Sequence, residues 1–262
     1  MTRLADYQHK YRYVAFDRHD DGVLEMRIHD NGGAAKWTAH PGGIHEELGY
    51  AFYDVGRDME NRVVIFTGTG DLFLTEFDPT PEDPDAGTPL FWDRIFKEGR
   101  DLLMNLLEIE VPVIGVVNGP VTIHSELPTM SDIVLAADDA IFADKVHTTN
   151  GYVAGDGVHV WWQMLLGPNR GRHFLLTGDE IDAQEAKRLG FVAEIHSRET
   201  LMDRARELAH GLAKQHRTML RSSRVAFTQH IKRRMLDDLG YGLQLEAISA
   251  MSLMHDMMKG QK

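Results

Sequence analysis

The sequence contains no cysteine. Disulfides, thiolate metal sites and a cysteine nucleophile are excluded together, and the chain suits a reducing compartment. Positive charge is also scarce, with 28 Lys and Arg against 40 Asp and Glu and a formal net charge of −12. Nucleic-acid affinity rests on neutralising phosphates with Lys and Arg, so no nucleic-acid partner is expected. The basic triplet Lys232-Arg233-Arg234 falls in a helical pattern and reads as a solvated helix face. No apolar run approaches the roughly 20 residues that span a bilayer. Met1 to Tyr13 is polar and lacks the apolar core of a secretory signal. The expectation is a cytoplasmic protein with no membrane partner.

Familiar catalytic signatures are missing too. Gly68-Thr69-Gly70 has no third glycine and opens no helix, which makes it a weak dinucleotide signal. There is no Walker A sequence, no G-x-S-x-G elbow and no H-E-x-x-H. Any hydrolytic chemistry must come from residues that the fold brings together.

What is present is an ordinary globular composition. The chain has 262 residues, of which 43% are hydrophobic and 26% charged, enough to bury a sizeable core. The N-terminal third is β-rich. Tyr13–Phe16 and Val23–Ile28 flank the turn residues Asp20-Asp21-Gly22 and predict a hairpin. Residues 46–58 carry Leu48, Ala51, Phe52 and Val55 at helical spacing, and Val63–Phe66 is a short buried strand. Residues 78–89 hold four prolines and read as an exposed loop near the mouth of a site. Helix is expected over 92–107, with strands at 113–117, 133–136, 140–142 and 191–195. The remainder after Gly157 reads as helix. The pattern is an α/β core at 1–200 followed by a helical region at 201–262. Met251, Met254, Met257 and Met258, at the chain end, suit a subunit contact.

The linked segments Val64–Gly68, Val111–Pro120, Ser131–Ala137, Arg170–Gly178 and Ala183–Gly190 together resemble the crotonase (enoyl-CoA hydratase/isomerase) superfamily. The resemblance covers roughly Tyr13 to Leu220. It implies a right-handed spiral of ββα turns, a helical C-terminal region that serves trimerisation and covers the active site, and a homotrimer or dimer of trimers. The departures from the family are more telling. Where members have a glycine-rich run after Asn-Gly, this chain has Pro120-Val121-Thr122-Ile123-His124-Ser125-Glu126, one residue shorter and with a histidine among the glycine positions. His147, four residues before Gly151, takes the place of one catalytic glutamate, and Glu126 aligns with the other. The segment that supplies the second oxyanion donor reads Thr75-Glu76-Phe77-Asp78.

These departures are similar to the branch of 6-oxocamphor hydrolase and related β-diketone hydrolases. By that resemblance His124, His147, Asp156 and Glu246 are the catalytic candidates, with Trp37 and Phe77 binding substrate. The implied reaction is hydrolysis of a carbon–carbon bond in a cyclic, non-enolisable β-diketone, a retro-Claisen cleavage giving a keto acid. It needs no cofactor and no metal, because the second carbonyl receives the electrons. Histidine titrates in the range required of a base for water, and a carboxylate fixes its tautomer. The resemblance gives these roles to His147 and Asp156, and gives His124 the oxyanion.

Judged singly, each residue has a plainer reading. His124 would be a satisfied histidine, Asp156 a helix N-cap, Glu246 a solvated helical residue and Trp37 core. His9, His19, His29, His40, His45, His196, His210, His216, His230 and His255 read as surface residues. Three other functions compete: an acyl-CoA hydratase or isomerase using Glu126 and His147, a mononuclear metal enzyme, and a non-catalytic assembly member.

Overall fold

A computed structural model describes residues 2–78 and 83–260. A one-turn helix α1 (Leu4–Tyr7) precedes the hairpin of β1 (Val14–Arg18) and β2 (Val23–Ile28), whose antiparallel register runs from Val14↔Ile28 to Arg18↔Leu24. Next come the two-residue strand β3 (Lys36–Trp37), helix α2 (Ile44–Arg57) and the wholly buried strand β4 (Val63–Thr67). Another two-residue strand, β5 (Glu76–Phe77), leads to helix α3 (Pro89–Glu108). Thr88 caps α3 through its side chain and Pro89 occupies the first turn, where a missing N–H costs nothing.

The chain then repeats the theme: β6 (Val113–Val117), α4 (Glu126–Thr129), β7 (Ile133–Ala137), β8 (Ile141–Phe142) and α5 (Lys145–Asn150). Helices α6 (Val158–Leu166) and α7 (Pro168–Thr177) follow, then β9 (Ile181–Asp182), α8 (Ala183–Leu189) and β10 (Glu194–His196). Two helices close the chain, α9 (Arg198–Ala213) and α10 (Arg217–Met258), the latter of 42 residues.

The main sheet runs β1-β2-β4-β6-β7-β10, parallel from β2 onward. Its central strands are continuous apolar runs because both faces are covered. The short strands form a second line. β3 pairs in parallel with β5, bridges join Leu74 to Val121 and Val121 to Phe142, and β8 pairs with β9. Each turn of chain thus contributes one strand to the sheet and one short segment beside it, the expected crotonase spiral. Helix α9 lies across β4, β6 and β7, so the expected division at residue 201 falls within a helix packed on the sheet.

Several expectations need correction. Lys232 is buried and pairs with Glu108 at 3.1 Å, so the basic triplet is not simply a solvated face. The long helices extend beyond their apolar cores, to 44–57 and 89–108, and the late strand shrinks to 194–196. His45 is buried, not a surface residue. Part of the proline-rich segment, residues 79–82, lies outside the described residues.

Candidate active site

The turn after β6 is fixed by Asn118. Its side-chain oxygen accepts from Gly68 N–H, and its amide donates to the carbonyls of Gly70 and Leu72. A Cβ at Gly119 would lie 1.9 Å from the Asp71 carbonyl oxygen, so this close approach requires glycine. Five residues on, His124 has φ +49°. The imidazole is thus carried on a left-handed backbone position that glycine would adopt freely. Non-glycine residues adopt it only at some energetic cost, which tends to be borne at functional sites.

The His124 ring lies against the Trp37 indole, with centroids 4.0 Å apart and planes tilted by 39°. Its Nδ1 donates to Glu126 Oε1 at 2.7 Å and lies 3.6 Å from Asp156 Oδ2. His147, on α5, donates through Nδ1 to both oxygens of Asp144 at 2.8 Å. Its Nε2 faces Asp156 Oδ1 at 3.5 Å and Glu246 Oε1 at 3.8 Å. Asp156 thus stands between two imidazoles. The catalytic candidates His124, His147, Asp156 and Glu246 come together from the β6–α4 loop, α5, the Gly155-Asp156-Gly157 loop and α10.

All four are less than 10% exposed, and Glu126 is completely buried. Among the described residues, Glu126 Oε2, His147 Nε2, Asp156 Oδ1 and Glu246 Oε2 have no hydrogen-bond partner. Buried polar atoms without partners are uncommon and mark where a ligand or water is received.

The charges follow from this packing. Burial alone would lower the His147 pKa, but Asp156, Asp144 and Glu246 outweigh it and raise it well above the ordinary value. His124 is likewise raised, by Glu126 and Asp156 acting against desolvation. Desolvation lifts Glu126, and it pushes Glu246 up to about 7. Burial opposes ionisation of Asp156 too, yet His147 and His124 more than compensate and lower its pKa. Two imidazoles with raised pKa around one carboxylate, with protonatable carboxyls on either side, are the raw material of acid–base chemistry.

Trp37 is buried at 3% exposure. Phe77 sits opposite it in the β3–β5 register and is 47% exposed, at the rim rather than in the cluster. Gly157, rather than Asp156, is the N-cap residue of α6, and Asp156 just before it accepts from the Val158 N–H in the first turn.

Four participants were not foreseen: Asp144, His45, Glu98 and Arg94. Asp144 orients His147 from three residues away, a D-x-x-H spacing that was available in the sequence. His45 donates through Nδ1 to Glu98 at 2.8 Å and meets Trp37 edge-on at 5.4 Å, forming a second histidine–carboxylate pair behind the indole. Arg94 reaches Glu98 at 3.4 Å, donates to the Ala39 carbonyl and pairs with Asp83. Nothing in the sequence joined these, because His45 and Glu98 are 53 positions apart.

The spiral and the buried acid–base cluster define an enzyme of the crotonase superfamily. The enoyl-CoA hydratase/isomerase family model matches residues 20–255, and the chain belongs to that family. A solved β-diketone hydrolase from the cyanobacterium Anabaena sp. PCC 7120, bound to (S)-3-oxocyclohexyl acetic acid, is 45% identical. The match covers 95% of this chain and 98% of that one, with a TM-score of 0.91. Among curated relatives, a probable peroxisomal enoyl-CoA hydratase from Arabidopsis thaliana is 29% identical over 82% of this chain and 78% of its own length. The carnitinyl-CoA dehydratase of Citrobacter koseri is 34% identical over 63% of each. Among the described residues, no helix is long and apolar enough to cross a membrane.

Proposed function

We infer that this chain is a β-diketone hydrolase that cleaves a carbon–carbon bond of a cyclic, non-enolisable β-diketone and releases a keto acid. The observation that carries this reading is His124, whose imidazole stands at φ +49° where the fold's thioester enzymes use glycine. The likeness to the Anabaena hydrolase, itself bound to a keto acid, supports it.

The reaction adds one water to the diketone and needs no net redox change. His147, held by Asp144, takes a proton from water through Nε2 once that nitrogen is neutral. Asp156 holds the same water from the other side. The attacked carbonyl becomes an oxyanion, which accepts hydrogen bonds from cationic His124 and from the Trp37 indole N–H. The carbon–carbon bond then breaks, and its electron pair is delocalised as an enolate onto the second carbonyl. A proton returned to carbon, from His147 or from Glu246, completes the keto acid. The apolar wall of Trp37 favours an alicyclic substrate.

The test is a panel of cyclic 1,3-diketones and acyl-CoA thioesters, assayed with and without chelator. Expected is diketone cleavage to a keto acid that chelator does not reduce, with no useful hydration of crotonyl-CoA and no micromolar CoA binding by calorimetry. Crotonyl-CoA hydration faster than any diketone cleavage would give the function to the acyl-CoA reading.

A further inference from the structure

We propose that His147, Asp156 and Glu246 form a binding site for one zinc-like divalent cation, and that the cation inhibits the hydrolase by occupying the nitrogen that activates water. The inhibitory half rests on the function proposed above; the binding half rests on geometry alone.

Three features point to a cation. One ligand atom from each of His147, Asp156 and Glu246 lies within 4.8 Å of the other two, and all three side chains are buried. The nitrogen is 3.5 Å from Asp156 Oδ1 and 3.8 Å from Glu246 Oε1. Two ligands about 2.1 Å from a tetrahedral zinc ion stand roughly 3.4 Å apart, close to both spacings. These distances exceed ordinary hydrogen bonds and fit a shared ion better than direct contact.

The second feature is the way His147 is held. Nδ1 donates to both oxygens of Asp144, so that loss of the Nε2 proton leaves the lone pair facing the two carboxylates. Carboxylate–histidine–metal relays have this arrangement, and the outer carboxylate both orients the ring and makes it a better donor. A neutral Nε2 facing carboxylate oxygens is repelled by them unless a proton or a cation intervenes. Third, among the described residues, His147 Nε2, Asp156 Oδ1 and Glu246 Oε2 belong to the few buried side-chain atoms without a hydrogen-bond partner. One imidazole and two carboxylates suit zinc or cobalt better than magnesium, which prefers an all-oxygen shell with several waters. Binding would release the proton on His147 Nε2 to solvent. The metal would then hold the lone pair that the reaction uses.

The neighbouring group of His124, Glu126 and Asp156 is a poorer candidate. Its His124–Glu126 contact at 2.7 Å is already a hydrogen bond, and Asp156 cannot fill both sites with one geometry.

The experiment titrates Co²⁺ into metal-stripped full-length protein while recording visible absorption and diketone hydrolysis together. Expected is one cobalt per chain with a d–d band of low coordination number, displaced by Zn²⁺ and untouched by Mg²⁺. Hydrolysis should fall in step with occupancy and return on adding EDTA. Glu246→Gln should weaken the cobalt spectrum. Asp144→Asn should loosen the metal about 10–100-fold, as loss of an outer carboxylate does. A band unchanged in both variants, or hydrolysis that persists with cobalt or zinc saturating, would overturn the proposal. So would hydrolysis that requires the metal. A cobalt band that behaves as expected in a chain hydrolysing no diketone would sink the hydrolase reading and leave the cation site standing.

Discussion

At the scale of single residues, the division of labour around His147 sets the expectations. His147→Ala removes the positioned base and should lower kcat by about 10²–10⁴-fold. Asp144→Asn keeps the ring but replaces an acceptor-only carboxylate with an amide that can favour the wrong tautomer. It should therefore reduce kcat while moving KM little. Equal activity of Asp144→Asn and the parent, measured at saturating diketone, would remove Asp144 from the mechanism. The pH profile follows from the pKa shifts. The base works only when His147 Nε2 is unprotonated, and its pKa is raised well above the ordinary value, so the rate should climb with pH through an ionisation above the usual histidine range. His124 must stay cationic to donate, and its pKa is also raised, so loss of its proton should lower the rate as the pH passes its own ionisation. The two limbs belong to the coupled cluster, Glu246 included, rather than to either histidine alone. A kcat flat from about pH 5 to pH 9 would contradict this assignment. Legibility was uneven here. His124, His147, Asp156, Glu246 and Trp37 could be named because the sequence keeps a recognisable pattern around each. Asp144 stood three residues before His147 and was open to the same reading without being singled out, and His45 looked like any of the other histidines. Its partner Glu98 is brought to it only by the packing of α2 on α3.

At the scale of elements, α10 explains how a glutamate near the chain end enters the site. Leu220, Arg224, Thr228, Ile231, Met235, Leu239, Gly242, Glu246 and Ala250 form one buried stripe at three- and four-residue spacing. Glu246 lies in that stripe. A carboxylate in line with core positions was the visible signal, although taken alone it reads as a solvated residue. Lys232 and Arg224 follow the same rule. Both look solvated by type, yet Arg224 is 1% exposed and bridges Asp132 and the carbonyls of Ile109 and Leu106. Periodicity found the helices reliably; it could not tell which polar residues the stripe would carry inward. The loop bearing Asp156 touches this helix backbone to backbone. A Cβ at Gly155 would lie 2.2 Å from the Gly242 carbonyl oxygen and 2.7 Å from Glu246 Cβ. Gly155→Ala must therefore push the loop off α10 and move Asp156 relative to Glu246. Overpacking of this kind costs about 1–3 kcal/mol, and a shift of about 1 Å in a reacting geometry can cost 10²-fold in rate. The variant should unfold at a lower temperature and, well below that temperature, lose more than tenfold in kcat. Full activity in a folded Gly155→Ala protein would show that the contact does not position the site.

At the scale of the whole molecule, the unusual surface is again on α10. Phe227, Tyr241, Leu245 and Ile248 fall along one side of the helix by its periodicity and are 65%, 67%, 36% and 60% exposed. Met257 and Met258, near its end, are 67% and 80% exposed. Scattered apolar residues need no explanation, but Tyr241, Leu245 and Ile248, neighbours on one helix face, suit a contact surface. The expected partner is a further copy of the same chain. Each subunit would cover this stripe on its neighbour, and closed rings satisfy identical surfaces with no edge left over. The expected assembly is a homotrimer or a dimer of trimers. Sedimentation equilibrium at micromolar concentration should give three or six times the 29.6 kDa chain mass. The double substitution Leu245→Asp and Ile248→Asp places charge on the stripe without touching Glu246 or the buried face. It should shift the protein toward monomer while leaving its far-ultraviolet circular dichroism unchanged. A wild-type monomer would refute the assembly, and a variant that remains trimeric would place the interface elsewhere. Glu246 enters the cluster from the opposite side of the same helix. Activity lost on dissociation and regained at high protein concentration would therefore mean that neighbouring subunits hold α10, and with it the carboxylate, in place.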